Sequence, residues 1–261
     1  MAGYRVPSAG MSDAAEEIDG GTLARISTPR PGTLSGPRAT TAAMATPAPD
    51  APWSGGVPAA LGLPSVVRIP VPGTTGLCIE FTPRGWNPSG GSTSALFFQD
   101  PTGKRHLRLD YGYNVKTKSV DYHWNQSGTH ADFGVTDHTP AGRAGAIAYQ
   151  GAKYFRYAGR VLLVVGIATD VVSIVVADRP LRRGSQVAAG WAAAWLGCRL
   201  VGAGGAALGT LASPLGSAVG GVTGCIVGGF VGYQGASIAA ADVYDWAEGT
   251  RFTPLPQVTL P

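Results

Sequence analysis

The stretch LGSAVGGVTGCIVGGFVGYQGASIAAA, residues 215–241, decides the architecture of the C-terminal half of this 261-residue chain. Within it, glycine recurs at every fourth position: Gly216, Gly220, Gly224, Gly228 and Gly232. Residues four apart stack on one face of a helix, so the pattern predicts a helix with a strip of nearly bare backbone. Each interior glycine costs about 1 kcal/mol relative to alanine. The row therefore indicates close helix–helix packing of the kind typical of helices in lipid.

The sequence around this stretch predicts two more apolar helices. One covers residues 147–177. The other runs over about 186–211, where Gly190, Ala194, Cys198, Gly202 and Ala206 repeat the four-residue spacing. Ser213 and Pro214 break the chain before the glycine row, so residues 186–246 are predicted to form a helical hairpin with an uncharged turn. From Gly216 to Ala240 the second helix rises about 36 Å, which is sufficient for a hydrocarbon core of ~30 Å.

Within residues 161–177, the apolar half of the first helix, and residues 186–211, two ionisable residues occur, Asp170 and Arg199. Each costs about 2.5–3.5 kcal/mol at the centre of an inserted helix. In a membrane we therefore expect them to face a pore or a water-filled cavity, or to form an ion pair with each other. The alternative is a soluble helical bundle rich in glycine and alanine, in which the two residues pair in a closed form.

Residues 76–140 predict a small antiparallel β-rich unit. The runs RHLRLDY (105–111) and SVDYHWN (119–125) alternate polar and apolar residues, as the strands of a half-buried hairpin do. Six side chains are predicted to face a core: Leu107, Leu109, Tyr111, Val120, Tyr122 and Trp124. The predicted fold class is therefore α+β, with this antiparallel unit followed by an apolar, glycine-rich helical region over residues 147–249.

The polar face of the same hairpin carries four candidate catalytic residues, His106, Arg108, Asp110 and His123. A register that pairs Asp110 with Asp121 sets Arg108 opposite His123. Imidazoles, carboxylates and an arginine support general acid/base chemistry such as phosphodiester cleavage. A metal site within residues 130–138 is a second alternative, but an ordinary solvent-facing surface is the interpretation that the pattern favours. Without an HExxH, paired CxxC or GxSxG motif, the sequence predicts no metal and no cofactor.

Composition separates the ends of the chain from its middle. Residues 1–75 are rich in Ala, Pro, Thr, Ser and Gly without a period, which predicts a disordered tail, and residues 250–261 predict a short extended one. Residues 1–17 lack the apolar core of a secretory signal.

Residues 76–140 hold six basic and six acidic side chains, which argues against a nucleic-acid partner. Cys198 and Cys225 lie in apolar helices, where buried free thiols are favoured.

Five segments occur in a distinctive order: HLRLDYG, DYHWN, FGVTDHTPAG, KYFRYAGRVLLVVGIATD and VYDWAE. Over about residues 76–249 this order resembles toxin modules of bacterial polymorphic toxins, the antibacterial effectors delivered by type VI secretion or carried at the ends of Rhs-type proteins. The resemblance implies synthesis in the bacterial cytoplasm, secretion, and action at the inner membrane of the target cell. It also implies a cognate immunity protein and a secretion chaperone as partners. The chain shows no Rhs repeats and no PAAR-like spike domain.

These observations predict a toxin, not an enzyme, that inserts its glycine-row hairpin into a lipid membrane, oligomerises there and permeabilises it. Gly216, Gly220, Gly224, Gly228 and Gly232 are the predicted membrane-packing residues, and Asp170 and Arg199 are expected to affect conductance. Two alternatives stay open. One is a nuclease-like enzyme toxin that acts through His106, Arg108, Asp110 and His123, with the helices serving for membrane entry. The other is a membrane-anchored binding module.

Overall fold

The computed structural model of the protein describes residues 54–82 and 93–252, with side chains up to residue 250. A short helix α1 (Gly56–Gly62) and a 3-10 turn (Leu63–Ser65) precede the sheet. The strands are β1 (Ile69–Pro70), β2 (Cys78–Glu80), β3 (Leu96–Gln99), β4 (His106–Asn114), β5 (Ser119–Ser127) and β6 (Thr139–Pro140), with the single turn α2 (His130–Phe133) between the last two. Three long helices follow: α3 (Gly142–Val175), α4 (Pro180–Thr210) and α5 (Pro214–Phe252).

The six strands form one antiparallel sheet in chain order, β1 to β6. Its apolar face packs on the helices, so that strand residues such as Ile69, Ile79 and Leu107 share one core with Tyr149 of α3 and Ala194 of α4. The predicted α+β class, with a sheet first and long apolar helices after it, is confirmed. The two parts do not have separate cores.

The β4–β5 register differs from the predicted one by two residues. Asp110 lies opposite His123, and Arg108 lies opposite Asn125. Asn114, the last residue of β4, closes a turn of residues 115–118, because its carbonyl accepts a hydrogen bond from the Lys118 amide and its side chain accepts one from the Lys116 amide. A shift of two keeps every side chain on its predicted face, because strand side chains alternate with a period of two.

The predicted core of this hairpin is correct in its middle and wrong at its tip. Leu107, Leu109 and Trp124 are buried, whereas Tyr111 is 41% exposed and Val120 is 61% exposed. The tip projects beyond the helices that cover the centre of the sheet. Tyr111 instead packs against the tilted ring of Tyr122, with ring centroids 4.6 Å apart.

Folded structure begins earlier in the chain than the predicted boundary at residue 75. Residues 54–75 contribute α1 and β1, and Ala59 and Ile69 are completely buried. These elements are too short to show a period, and they become ordered because α3, α4 and α5 cover them. Residues 1–53 and 253–261, which hold the rest of the two predicted tails, lie outside the described residues.

Helices α4 and α5 form the predicted hairpin, with longer arms than expected. Pro180 and Pro214 each occupy the first position of their helix, where a missing amide proton costs nothing. The Ser213 hydroxyl accepts a hydrogen bond from the Gly216 amide at 3.0 Å and so caps the start of α5. The three-residue connection explains why the two helices run antiparallel as immediate neighbours.

The prediction of buried free thiols at Cys198 and Cys225 is wrong. The two residues are completely buried and form a disulfide that joins α4 to α5. Their spacing of 27 residues did not reveal the pairing, because it arises only when the two helices fold back on each other. Among the described residues, Cys78 of β2 is the free cysteine.

Candidate functional site

The glycine row of α5 lies directly on the backbone of α4. A Cβ atom placed at any of the five glycines would come well within 3.0 Å of a main-chain oxygen, a separation that real Cβ atoms essentially never show. The oxygens belong, from Gly216 to Gly232, to Gly209, Gly205, Val201, Gly197 and Ala193 of α4. The partner of the glycine row is therefore a row on the neighbouring helix of the same chain, made of three glycines, one alanine and one valine.

This closeness is confined to the seam between the two helices. Gly204, which adjoins Gly205 in α4, and Gly235, in the middle of α5, have no atom beyond their own stretch of helix within 4 Å of the position of an added Cβ. On another side of the hairpin, Gly202 and Gly221 contact the side chains of Ile69 and Ile79 in the sheet. The hairpin thus presents glycine to two partners, namely its own second arm and the sheet.

A buried polar cluster joins the three long helices, and Asp170 of α3 is its centre. Asp170 is only 1% exposed. Its Oδ2 atom accepts hydrogen bonds from Trp191 Nε1 at 2.8 Å and from the Tyr233 hydroxyl at 2.7 Å. Its Oδ1 atom accepts one from the Gly55 amide at 2.8 Å, and Arg183 Nη2 lies 3.6 Å away. One carboxylate therefore connects α3, α4, α5 and the residue that precedes α1.

The expected pair of Asp170 with Arg199 is not the one that the structure shows. The cationic neighbour of Asp170 is Arg183. Arg183 also donates hydrogen bonds to Ser173 Oγ at 2.9 Å and to Gln186 Oε1 at 3.3 Å. Arg199 instead stacks over the ring of Trp195, with its guanidinium carbon 4.9 Å from the ring centroid. Arg199 lies about 12 Å further along α4 than Trp191, the α4 residue that contacts Asp170, so it is more than two helical turns away from the carboxylate.

Ion pairs join the open ends of α4 and α5. Arg182 forms a bidentate pair with Asp245, at 2.9 and 2.7 Å. Arg179 also binds Asp245 and contacts Glu248. Arginine is well suited to this task because its planar guanidinium matches a carboxylate with two parallel hydrogen bonds. The charges that the sequence places at the base of the hairpin therefore hold that base together.

The outer surface of the long helices is apolar and exposed. Two helices are long and apolar enough to cross a membrane: Gly142–Val175 contains an 18-residue window of mean hydropathy 2.0, and Pro214–Thr250 contains one of mean hydropathy 1.5. Only 22% and 33% of these apolar windows is buried, whereas a core helix of a soluble protein is mostly buried. The large apolar side chains that stay exposed on α3 include Val161, Val164, Ile167, Val171, Val172 and Val175. Soluble monomers rarely expose apolar patches of this extent.

The polar face of the sheet contains two separate hydrogen-bonded groups. In the first, the buried carboxylate of Asp110 accepts hydrogen bonds from the hydroxyl of Ser94, from Arg108 Nε at 3.2 Å and from Asn125 Nδ2 at 3.2 Å. His106 lies on the same face at the edge of this group. Burial, and after it the nearby guanidinium of Arg108, lowers the pKa of His106 below its ordinary value.

In the second group, His123 is 3% exposed and its Nδ1 atom lies 3.0 Å from Asp121 Oδ1. Asp121 also accepts hydrogen bonds from Asn114 and Thr117. Burial opposes ionisation of Asp121, but these hydrogen bonds and that of His123 outweigh it, so the pKa of the carboxyl is below its ordinary value. A histidine oriented by a carboxylate can act as a general base. The sheet thus brings the four candidate catalytic residues to one face, but it divides them between two groups.

The alternative of a metal site at residues 130–138 has no support in the geometry. His130 bonds to the Val135 carbonyl, and Asp132 pairs with Arg105 at 2.5 Å. His138 lies 3.4 Å from Asp137. Within residues 54–82 and 93–250, no group of three or more His, Cys, Asp or Glu side chains is arranged to hold a metal ion.

Sequence reasoning missed several members of these sites. Arg183, Trp191 and Tyr233 surround Asp170, but the first two lie in α4 and the third in α5, and they share no motif. The α4 half of the seam, at positions 193, 197, 201, 205 and 209, adjoins the row that the sequence analysis identified from Gly190 to Ala206. That row is buried as well, but it faces Tyr233, the sheet and the disulfide. Only the glycine-rich composition of α4 pointed to the seam.

No protein-family model, no curated protein and no solved structure matches this chain. The resemblance to polymorphic-toxin modules therefore stays a prediction from sequence.

Proposed function

We propose that this chain is a membrane-permeabilising bacterial toxin whose long helices enter the lipid bilayer of a target cell. The observation that supports membrane entry is the apolar, largely exposed surface of α3 and α5, together with their length. In lipid this surface meets hydrocarbon instead of water, and the backbone groups of the helix interiors already have their hydrogen-bond partners within the same helix. The toxin class, secretion, the immunity protein and the chaperone come from the resemblance of the sequence motifs alone.

The close seam between α4 and α5 supports this function in a specific way. In lipid, helices associate through van der Waals contact between closely approaching backbones, which small residues permit. Because the five glycines already contact α4 of the same chain, self-association in the membrane would use the outer helix faces. The seam would then keep each hairpin together as one unit of the oligomer.

Dye release from vesicles tests this proposal. We expect the full chain to release a trapped dye from phospholipid vesicles, and the double substitution Gly224→Leu with Gly228→Leu to abolish the release. Both leucines would collide with the α4 backbone and force the hairpin arms apart. Gly235→Leu is the matched control, because Gly235 faces open space, and it should leak like the unmodified chain. Equal leakage from the double variant, or none from the unmodified chain, would contradict the proposal.

The Asp121–His123 pair supports an enzyme toxin as the second candidate function. Its Nδ1 contact with Asp121 holds the imidazole in one orientation, as in many general bases. If this chemistry carries toxicity, His123→Gln should restore growth of cells that export the chain to the periplasm, while their membrane potential is intact throughout. If the membrane proposal is right, the same variant should still collapse the potential. Recording potential and nucleic-acid integrity together separates the two functions.

A further inference from the structure

Two groups of charged side chains lie at different heights along the long helices. The first level, called here the cationic band, consists of Lys153 and Arg160 of α3 and Arg199 of α4. The second, called the paired band, consists of Arg179, Arg182, Asp245 and Glu248 at the open end of the hairpin. Between the bands, residues 161–177, 184–198 and 227–241 contain one charged residue, Asp170.

The bands lie at matching heights on neighbouring helices. Along α4, the rise from Arg182 to Arg199 is about 26 Å at ~1.5 Å per residue. On α3, Asp170 contacts Trp191 of α4. From that contact, Arg160 lies about 15 Å further along α3 and Arg199 about 12 Å further along α4, in the same direction because the helices are antiparallel. The two cationic side chains therefore mark one plane.

The section between the bands, called the belt, has the surface that a bilayer requires. Its thickness of about 26 Å approaches the ~30 Å of a hydrocarbon core, and long arginine side chains extend outward to span the difference. Its exposed large side chains are apolar and include Val164, Val171, Val175, Val231 and Ile238. Trp195 and Tyr157 lie near one edge and Trp246 near the other, where interfacial aromatics belong.

The single charge within the belt is compatible with lipid. Ionisable residues inside membranes face the interior of a helical bundle and have partners there. Asp170 meets both conditions, because it is 1% exposed and binds Gly55, Trp191 and Tyr233 with Arg183 close by. The belt therefore needs no rearrangement to bury this carboxylate.

The tip of the hairpin, residues 200–226, lies beside charged groups of the sheet. Gly202 contacts Ile69, and the next residue to Ile69 in the chain is Arg68, which pairs with Glu80 at 2.6 Å. Arg68 retains 34% side-chain exposure. Insertion of the folded tip would carry this pair and the adjoining polar face of the sheet into hydrocarbon. The tip itself contains no charged residue, but charged side chains of the sheet lie next to it.

We propose that the belt is the part of the folded protein that lies in the bilayer, with the sheet and the hairpin tip outside it on the side of the cationic band. Lys153, Arg160 and Arg199 then meet anionic phospholipid headgroups. This inference rests on the proposed membrane function, but it replaces insertion of the hairpin tip with a span formed by residues 161–177 of α3 and by the parts of α4 and α5 nearest the open end of the hairpin, with α1 packed against them.

Depth measurements on single labels test the belt. In a Cys78→Ser background that keeps the native disulfide, a cysteine introduced at Val171, Leu208 or Tyr113 is labelled with an environment-sensitive fluorophore. All three side chains are exposed, at 54%, 73% and 62%, and they represent the belt, the tip and the sheet. The full chain is added to vesicles of phosphatidylcholine and phosphatidylglycerol that carry a nitroxide in mid-acyl position. Val231, 62% exposed on α5, provides a second belt position if the first label disturbs folding.

We expect a blue shift and loss of emission at position 171 or 231, and unchanged emission at 208 and 113. Quenching at 208 without quenching at the belt positions would overturn the belt and leave membrane entry in place. Quenching at no position, with no vesicle binding, would overturn the membrane function itself. Omitting phosphatidylglycerol should weaken binding, and unchanged binding would contradict the role of the cationic band.

Discussion

Replacing Gly205 and Gly220 with alanine together is expected to separate α4 from α5 and to abolish the native hairpin. A Cβ on either residue would collide with the main-chain oxygen of the other. Backbone atoms of two helices cannot yield locally, so the helices have to move apart along their length. Overpacking costs about 1–3 kcal/mol per site in ordinary cores, and two opposed sites act on the same contact. Thermal unfolding in mild detergent, followed by circular dichroism, measures the loss.

The neighbouring residue provides the control for this prediction. Gly204→Ala alters the same helix one position away, where nothing lies within 4 Å of the added atom. Alanine there should stabilise the protein by about 0.5–1 kcal/mol, because it restricts the unfolded chain and favours the helix. Thiol labelling gives a second readout, since separated helices cannot form the Cys198–Cys225 disulfide. Similar melting of Gly204→Ala and of the double variant Gly205→Ala with Gly220→Ala would show that the two helices do not touch as described.

Replacing Asp170 with alanine is expected to destabilise the protein by about 3–5 kcal/mol, the usual effect of removing one partner from a buried charged pair. The substitution leaves Arg183 buried without its carboxylate and removes the acceptor for Trp191 and Tyr233. Three helices and the start of α1 would lose their common contact. Chemical unfolding in detergent measures the change, with Asp178→Ala as the control. Asp178 is an exposed aspartate in the α3–α4 connection, so its loss should stay within about 0.5 kcal/mol.

A second substitution separates the effect of charge from that of packing. If the uncompensated guanidinium causes most of the loss, Asp170→Ala combined with Arg183→Met should be more stable than Asp170→Ala alone, since an apolar replacement of both partners is often tolerated. Simple addition of the two single effects would mean that the two residues do not act as a pair, and that hydrogen bonds to Trp191 and Tyr233 dominate.

The glycine row allowed a correct prediction of helical structure and of a helix hairpin, because its signal is local and periodic. The contact that fills the seam depends on how α4 rotates about its axis, and the sequence offers two adjacent rows of small residues there. Residues distant in sequence fix this rotation. Among them are Ile69 and Ile79 of the sheet, which pack against Gly202 of α4 and Gly221 of α5. The partners of Asp170 were unpredictable for the same reason, since they meet only after three helices have assembled.

The sheet illustrates a different limit. Alternation along β4 and β5 placed each side chain on the correct face, because a period of two survives a shift of two. The pairing itself depended on Asn114, whose side chain and carbonyl close the turn. That shift places Asp110 opposite His123 instead of Asp121. Side-chain hydrogen bonds then divide the candidate catalytic residues, because Arg108 binds Asp110 and His123 binds Asp121.

Contacts between Ile69 or Ile79 and the α4–α5 hairpin have a consequence for biosynthesis. The ribosome completes the sheet at Pro140 but adds Gly202 and Gly221, which cover the apolar side of β1 and β2, only later. At a synthesis rate of ~5–20 residues per second, the apolar side of β1 and β2 stays exposed for several seconds or longer before α4 and α5 are available to cover it. A nascent chain in this condition is an aggregation hazard and a substrate for a holdase that recognises extended apolar segments. Cells that synthesise the protein without such assistance should accumulate it in inclusion bodies.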